Sequence, residues 1–311
     1  MTTATAARTK KAKTKPADGA AAKDAVESDV VARPFFKMAG GKGRLLPVLR
    51  RFVPETFEHY HEPFVGGGAL FWDLAARRRL RRNFISLSDA NPVLMRVFRA
   101  VKNDVEVVIK ALKKMPITEE HYYSIRSTLP ADRDAMSDVE LAVWFLYVNK
   151  TCVNGIYRVN KNGGFNVPWG RWEQYNKVPN VCDEPLLRAC SAVLQTLRVS
   201  VTERPFETVL DYAKKGDLVY FDPPYLPTSK TANFTSYTKE RFVYEDHVRL
   251  RDVALELKKR AAHVILSNAD VPLIRELYEP KLGFTVDVAM APRSVNTKTD
   301  ERGDVRELVI R

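Results

Sequence analysis

The sequence predicts a doubly wound, Rossmann-like α/β fold with a second, mainly helical subdomain inserted into it. Three observations predict it. Short apolar runs alternate with amphipathic segments of helical period on both sides of the middle third. Two of those runs lead into turn sequences, residues 62–68 and 222–225, at the carboxyl ends of strands where such sheets bind ligands. Between residues 110 and 199 the alternation gives way to helical and loop-like sequence.

The elements follow in order. Residues 1–33 are rich in Ala, Thr and Lys, with almost no large apolar residue before Val30, so they cannot offset their own ordering entropy. They are expected to form a disordered basic tail. With no apolar core and several acidic residues, the segment resembles neither a secretory signal nor a transit peptide. Residues 59–63 are a strand candidate, followed by a helix with Ala69, Leu70, Leu74 and Ala75 on one face and the basic run 77–82 at its end. Residues 84–88 form a second strand closed by Asp89, and residues 91–102 a helix with Leu94, Val97, Phe98 and Val101 at helical spacing. Residues 110–150 read as mainly helical, 149–170 as a polar loop dense in Asn, Gly, Lys and aromatics, and 184–197 as helix. Residues 218–221 and 264–266 are apolar runs of the buried parallel-strand kind. The expected division is a catalytic domain made of residues 34–110 and 200–311, with residues 111–199 as the inserted subdomain.

Composition narrows the partners. The chain has 311 residues, 50 Lys and Arg against 38 Asp and Glu, and a formal charge of +12. The tail carries seven basic and four acidic residues, so most of the excess belongs to the folded part. Such an excess favours a polyanionic partner, nucleic acid first. No apolar stretch reaches membrane length, so a membrane partner is excluded from the reading. Three cysteines, Cys152, Cys182 and Cys190, form no metal-ligand spacing and no disulfide framework. The expectation is therefore a metal-free, monomeric protein of the cytoplasm, a host's cytoplasm were the source viral.

Four motifs carry chemistry. In Asp222-Pro223-Pro224-Tyr225 a carboxylate stands at a strand's end, two prolines free their carbonyls from any ladder, and an aromatic face is available for stacking. Together they describe a pocket for the exocyclic amino group of a base. In residues 62–68 the glycines allow a tight turn and close approach of a ligand, and Asp89, about 20 positions on, stands where an acidic residue binds ribose hydroxyls. The spacing is neither GxGxxG nor a phosphate loop, which disfavours a nicotinamide oxidoreductase. The loop from Lys37 to Gly43 sets two lysines around glycines and could hold an anionic group. Residues 159–165 suggest a hairpin, and Arg158, Asn160, Lys161 and Asn162 are residue types that read base edges.

In this order, these blocks and the stretch Leu266-Ser267-Asn268-Ala269-Asp270 resemble the Dam-like (D12 class) DNA adenine-N6 methyltransferases over most of residues 34–311. The resemblance implies a seven-stranded methyltransferase sheet, S-adenosylmethionine as cofactor and double-stranded DNA as partner. It further implies that residues 111–199 recognise the target, with GATC the leading expectation for the site. It implies Met38, Lys42, Phe64, Gly66, Gly68, Asp89 and Asp222 around the cofactor, and Asp222, Pro223, Pro224 and Tyr225 around the target adenine. Met38 departs from the Trp that members often carry there. Cytosine-N4 in DNA and adenine in RNA offer the same amino-group chemistry, although Asp222 leans toward adenine. A DNA-binding protein that has lost catalysis would be expected to show decay at Asp89, Asp222 or Tyr225, and all three are present.

Overall fold

The computed structural model describes residues 1, 30–81, 83–226, 242–292 and 304–311. Residues 2–29 of the expected tail, and Arg82 of the basic run, lie outside the described residues.

Among the described residues seven strands form one sheet: β1 (Tyr60–Glu62), β2 (Phe84–Asp89), β3 (Arg198–Glu203), β4 (Leu218–Phe221), β5 (His263–Ala269), β6 (Val286–Pro292) and β7 (Asp304–Ile310). Their order is β3-β2-β1-β4-β5-β7-β6. β1 to β5 are parallel, as the apolar runs predict. β7 is antiparallel to both β5 and β6 and completes the seven-stranded sheet that the resemblance implies. β6 and β7 follow one another antiparallel, so their join needs no crossover helix.

The helices are α1 (Leu46–Leu49), α2 (Ala69–Ala76), α3 (Pro92–Asn103), α4 (Val105–Leu112), α5 (Glu119–Arg126), α6 (Pro130–Ala135), α7 (Asp138–Thr151), α8 (Glu184–Thr196), α9 (Tyr244–Lys259) and α10 (Pro272–Leu277). α2 stops at Ala76, and the basic run continues as a turn in which Arg78 takes φ +59°. α3 begins where Asn91 accepts the Val93 N–H at 3.0 Å and Pro92 supplies a preset φ. α7 begins with a Ser137/Glu140 capping box and buries its residues all round, from Leu141 to Val148. It runs to Thr151, three residues into the expected loop.

Two apolar clusters flank the sheet. One joins Phe35, Phe36, Trp72, Phe98 and Phe145, and so continues from α2 and α3 into α7. The other joins Phe206, Phe221, Leu250, Leu266 and Ile310 beneath α9. Asn149 links the helical segment to the chain before β1: its Oδ1 accepts the Lys37 N–H at 3.1 Å and its Nδ2 donates to the carbonyls of Lys37 and Gly155 at 2.9 Å. No described helix is long and apolar enough to cross a membrane.

Candidate active site

From β1 the chain winds outward through β2 to β3, then returns and winds the other way through β4 and β5. β1 and β4 are therefore neighbours at the topological switch point, where open α/β sheets hold ligands beyond the strand ends. The carboxyl end of β2 and the segments following β1 and β4 place Asp89, Gly66 and Asp222 around that crevice.

On the β1–β2 side the glycine turn takes conformations that other residues resist, with φ +47° at Gly66 and +68° at Gly68. A Cβ at Gly66 would meet open space, whereas one at Gly68 would come within 3.2 Å of the Trp72 indole nitrogen. That indole donates to the Gly67 carbonyl at 3.1 Å and fixes the turn. Asp89 is half-buried and accepts the Gly66 N–H at 3.1 Å and the Asn91 N–H at 2.9 Å. Burial outweighs these bonds and pushes its carboxyl up to about 6. Met38 is half-buried beside Gly67, with its Cγ 4.0 Å from where a Cβ would stand. Phe64 is half-buried; its ring stacks on Phe206 at 5.3 Å, meets Phe242 edge-on at 5.6 Å and packs against the cluster beneath α9.

Glu62 ends β1, just before this turn. It is buried, accepts the Tyr60 hydroxyl at 2.7 Å, and is pushed up to about 8, chiefly by burial, with Asp222 and Asp89 adding to the rise. It stands at the start of the 62–68 motif, where nothing local assigns it a role.

On the β4 side Lys42 reaches the motif from a turn that Gly40 makes at φ +77°. Its ammonium is buried, donates to the Gly40 carbonyl at 2.6 Å and lies 3.0 Å from Asp222 Oδ1. It also stands 4.5 Å from the centre of the Tyr225 ring, so one face of that ring is covered. Asp222 Oδ1 is buried, while the side chain as a whole keeps 20% of its surface exposed. Burial pushes this carboxyl up to about 6, against the pull of Lys42. Pro223 is buried, and the His247 imidazole of α9 lies with its Nδ1 3.3 Å from Asn268 Nδ2. The Tyr225 hydroxyl donates to Glu307 Oε2 at 2.7 Å. Glu307 lies in no sequence motif; only the pairing of β7 with β5 brings it here.

The four nucleic-acid candidates lie apart from these groups, around the hairpin closed by the Val159–Phe165 bridge. Arg158 Nε donates to Asn166 Oδ1 at 2.8 Å. Asn160 Oδ1 accepts the N–H groups of Asn162 and Gly164, both at 2.9 Å, and so builds the turn itself. Lys161 and Asn162 are exposed. Next to the hairpin a cleft of about 750 Å³ is lined by Lys37, Lys150, Trp169, Arg171, Trp172, Tyr175 and Lys177. Arg171 holds φ +51° there. Arg171, Trp172, Tyr175 and Lys177 lie beyond the polar loop 149–170 and in no sequence motif. Among the described residues no group of His, Cys, Asp and Glu could hold a metal ion.

The fold and the crevice define a Rossmann-like methyltransferase. The chain belongs to the D12 class N6 adenine-specific DNA methyltransferases, whose family pattern residues 38–288 match. It is 39% identical over 281 residues to the type II methyltransferase M1.LlaDCHI of Lactococcus lactis subsp. cremoris, covering 89% of this chain and 94% of that protein. It is 37% identical over 294 residues to the type II methyltransferase M.MjaIII of Methanocaldococcus jannaschii, covering 89% and 98%. It is 32% identical over 281 residues to the DNA adenine methylase of Escherichia coli, covering 89% and 94%.

Proposed function

We propose that this enzyme moves a methyl group from S-adenosylmethionine to N6 of an adenine turned out of duplex DNA, within a short site of the GATC type. The observation that carries the reading is the Asp222 carboxylate beside the switch point, ion-paired at one oxygen to buried Lys42 and bordered by the Tyr225 ring.

The crevice fits the cofactor. Asp89 stands at the end of β2 for the ribose hydroxyls, the Gly66 turn leaves open space, and Asp89 and Asp222, both ionised at neutral pH, make the surroundings acidic, which suits a cation. Met38 and Lys42 border the same space from the loop before β1. When bound, S-adenosylmethionine supplies the activated methyl group. The protein's residues act on the base. Extrahelical adenine costs a few kcal/mol, and stacking on the uncovered face of Tyr225 returns ~1–3 kcal/mol. Asp222 and the Pro223 carbonyl accept hydrogen bonds from the amino group, which orients its lone pair. With its carboxyl at about 6, Asp222 is ionised at neutral pH and can hold the departing N6 proton. Positioning of this kind can supply ~7–11 kcal/mol. Residues 111–199 are the target-recognition part, with Arg158, Lys161 and Asn162 reaching bases and Asn160 shaping the turn that presents them.

The test is transfer of labelled methyl groups to unmethylated genomic DNA, with product nucleosides resolved and the DNA sequenced. N6-methyladenine supports the reading, and its sequence context gives the site. N4-methylcytosine would replace the acceptor, and methylated RNA with unmodified DNA would replace the substrate.

A further inference from the structure

Glu307 has no role in the function proposed above, yet it touches two groups that do. On β7 it stands opposite Ala269 of β5 and Ala289 of β6. Directly paired residues share a face of the sheet, so the longer Glu307 side chain is flanked by two methyl groups. Only 16% of its side chain is exposed. Its Oε2 accepts the Tyr225 hydroxyl at 2.7 Å and lies 3.9 Å from the Lys42 ammonium. Lys42 thus sits between two carboxylates, with Asp222 at 3.0 Å.

We infer that Glu307 is a positioning residue for methyl transfer: it fixes the plane of Tyr225 through the hydroxyl and draws Lys42 from Asp222, which keeps acceptor capacity for the target amino group. The inference rests on the function proposed above. A buried carboxylate is retained only where its partners satisfy it, and here both partners face the reacting centre. Two carboxylates around one ammonium leave the cluster with one net negative charge. That charge favours a sulfonium donor over the neutral thioether left after transfer.

The test compares Glu307→Gln, which keeps an acceptor but loses the charge, Glu307→Ala, which loses both, and Tyr225→Phe, which loses only the hydroxyl. Four quantities are read beside the wild type: kcat and the KM for DNA, the fluorescence of 2-aminopurine at the target position, the Kd ratio of S-adenosylmethionine to S-adenosylhomocysteine, and Tm. In Glu307→Ala, kcat is expected to fall ~10–100-fold with little change in KM, the scale of a misplaced reacting group. Its 2-aminopurine signal should change as in Tyr225→Phe, and combining the two should add nothing further. Glu307→Gln should keep the wild-type fluorescence while its preference for the sulfonium falls about tenfold, a single-charge effect at close range. Wild-type kcat, fluorescence and ligand ratio in Glu307→Ala, or a fall in Tm alone, would overturn the inference. A wild type that forms no N6-methyladenine would overturn the function and the inference with it; an active wild type with indifferent variants overturns only the inference.

Discussion

On the function proposed above, Lys42 holds Asp222 in its working form, and replacing it with Met keeps the length of the side chain while removing the charge. The Asp222 carboxyl stands at about 6 with Lys42 at 3.0 Å. A neighbouring cation lowers a carboxylate pKa by ~1–3 units, so its loss should lift Asp222 to about 8, a change of ~2.7 kcal/mol. At about pH 7.5 the ionised fraction would fall from about 97% to about 24%, roughly a fourfold loss of rate. At about pH 6.5 the same shift takes it from about 76% to about 3%, roughly a 25-fold loss, and at about pH 9 the loss nearly vanishes. The assay is transfer of labelled methyl groups to DNA under limiting cofactor from about pH 6 to 9, since kcat/KM there reports ionisations of the enzyme before it takes up the cofactor. A Lys42→Met profile that falls uniformly at every pH, with its acid limb unmoved, would refute the claim that Lys42 acts by keeping Asp222 ionised.

Other sites give sharper or blander expectations. Asp89→Asn cannot accept at both oxygens, so it disturbs the Gly66 turn and loses a charged acceptor; Kd for S-adenosylmethionine by calorimetry should rise ~10–100-fold, the equivalent of ~1.5–3 kcal/mol. In the wild type the same Kd should rise as pH drops below about 6, where Asp89 takes up a proton. Asn160→Ala frees two backbone N–H groups and should lower Tm by about 2–4 °C, whereas Lys161→Ala should leave Tm alone and reduce the salt slope of DNA binding by about one. Asp217, just before β4, is buried, which pushes its carboxyl up, but bonds from His61 at 3.0 Å and the Lys214 N–H at 2.9 Å outweigh burial and hold it below the usual value. Its contribution to stability is present above about pH 4 and lost as pH falls through the folded value. The Tm gap between the wild type and Asp217→Asn should therefore narrow in acid, and a gap independent of pH would remove Asp217 from that role.

What the sequence discloses depends on burial and on distance along the chain. β1, β2, β4 and β5 are buried on both faces or end in punctuated turns, so they stand out as apolar runs. β3, β6 and β7 do not. β3 sits at a sheet edge with alternating exposure, and Arg198-Val199-Ser200-Val201 reads as readily as the tail of α8. β6 keeps Val288 and Met290 exposed at the other edge. Asp222, Tyr225, Asp89 and the glycine turn are legible because each motif is local. Glu307 is not, because nothing in Arg306-Glu307-Leu308 announces that β7 will insert between β5 and β6 and bring a carboxylate to Tyr225. Asn160 illustrates the converse: its residue type suits base reading, but its Oδ1 is engaged by the turn that carries it.

The pairing of β1 with β4 joins Tyr60 to Leu218 across about half of the chain. Neither half of the crevice is complete without the other, since the Gly66 turn and Asp89 arrive early and Asp222 arrives late. The long intervening segment must close before that pairing forms, and such non-local closure is slow. Cofactor retention is thus a gauge of finished folding: a chain that has built its helices but not joined its two half-sheets would hold neither methyl donor nor base, and could not mark DNA by mistake.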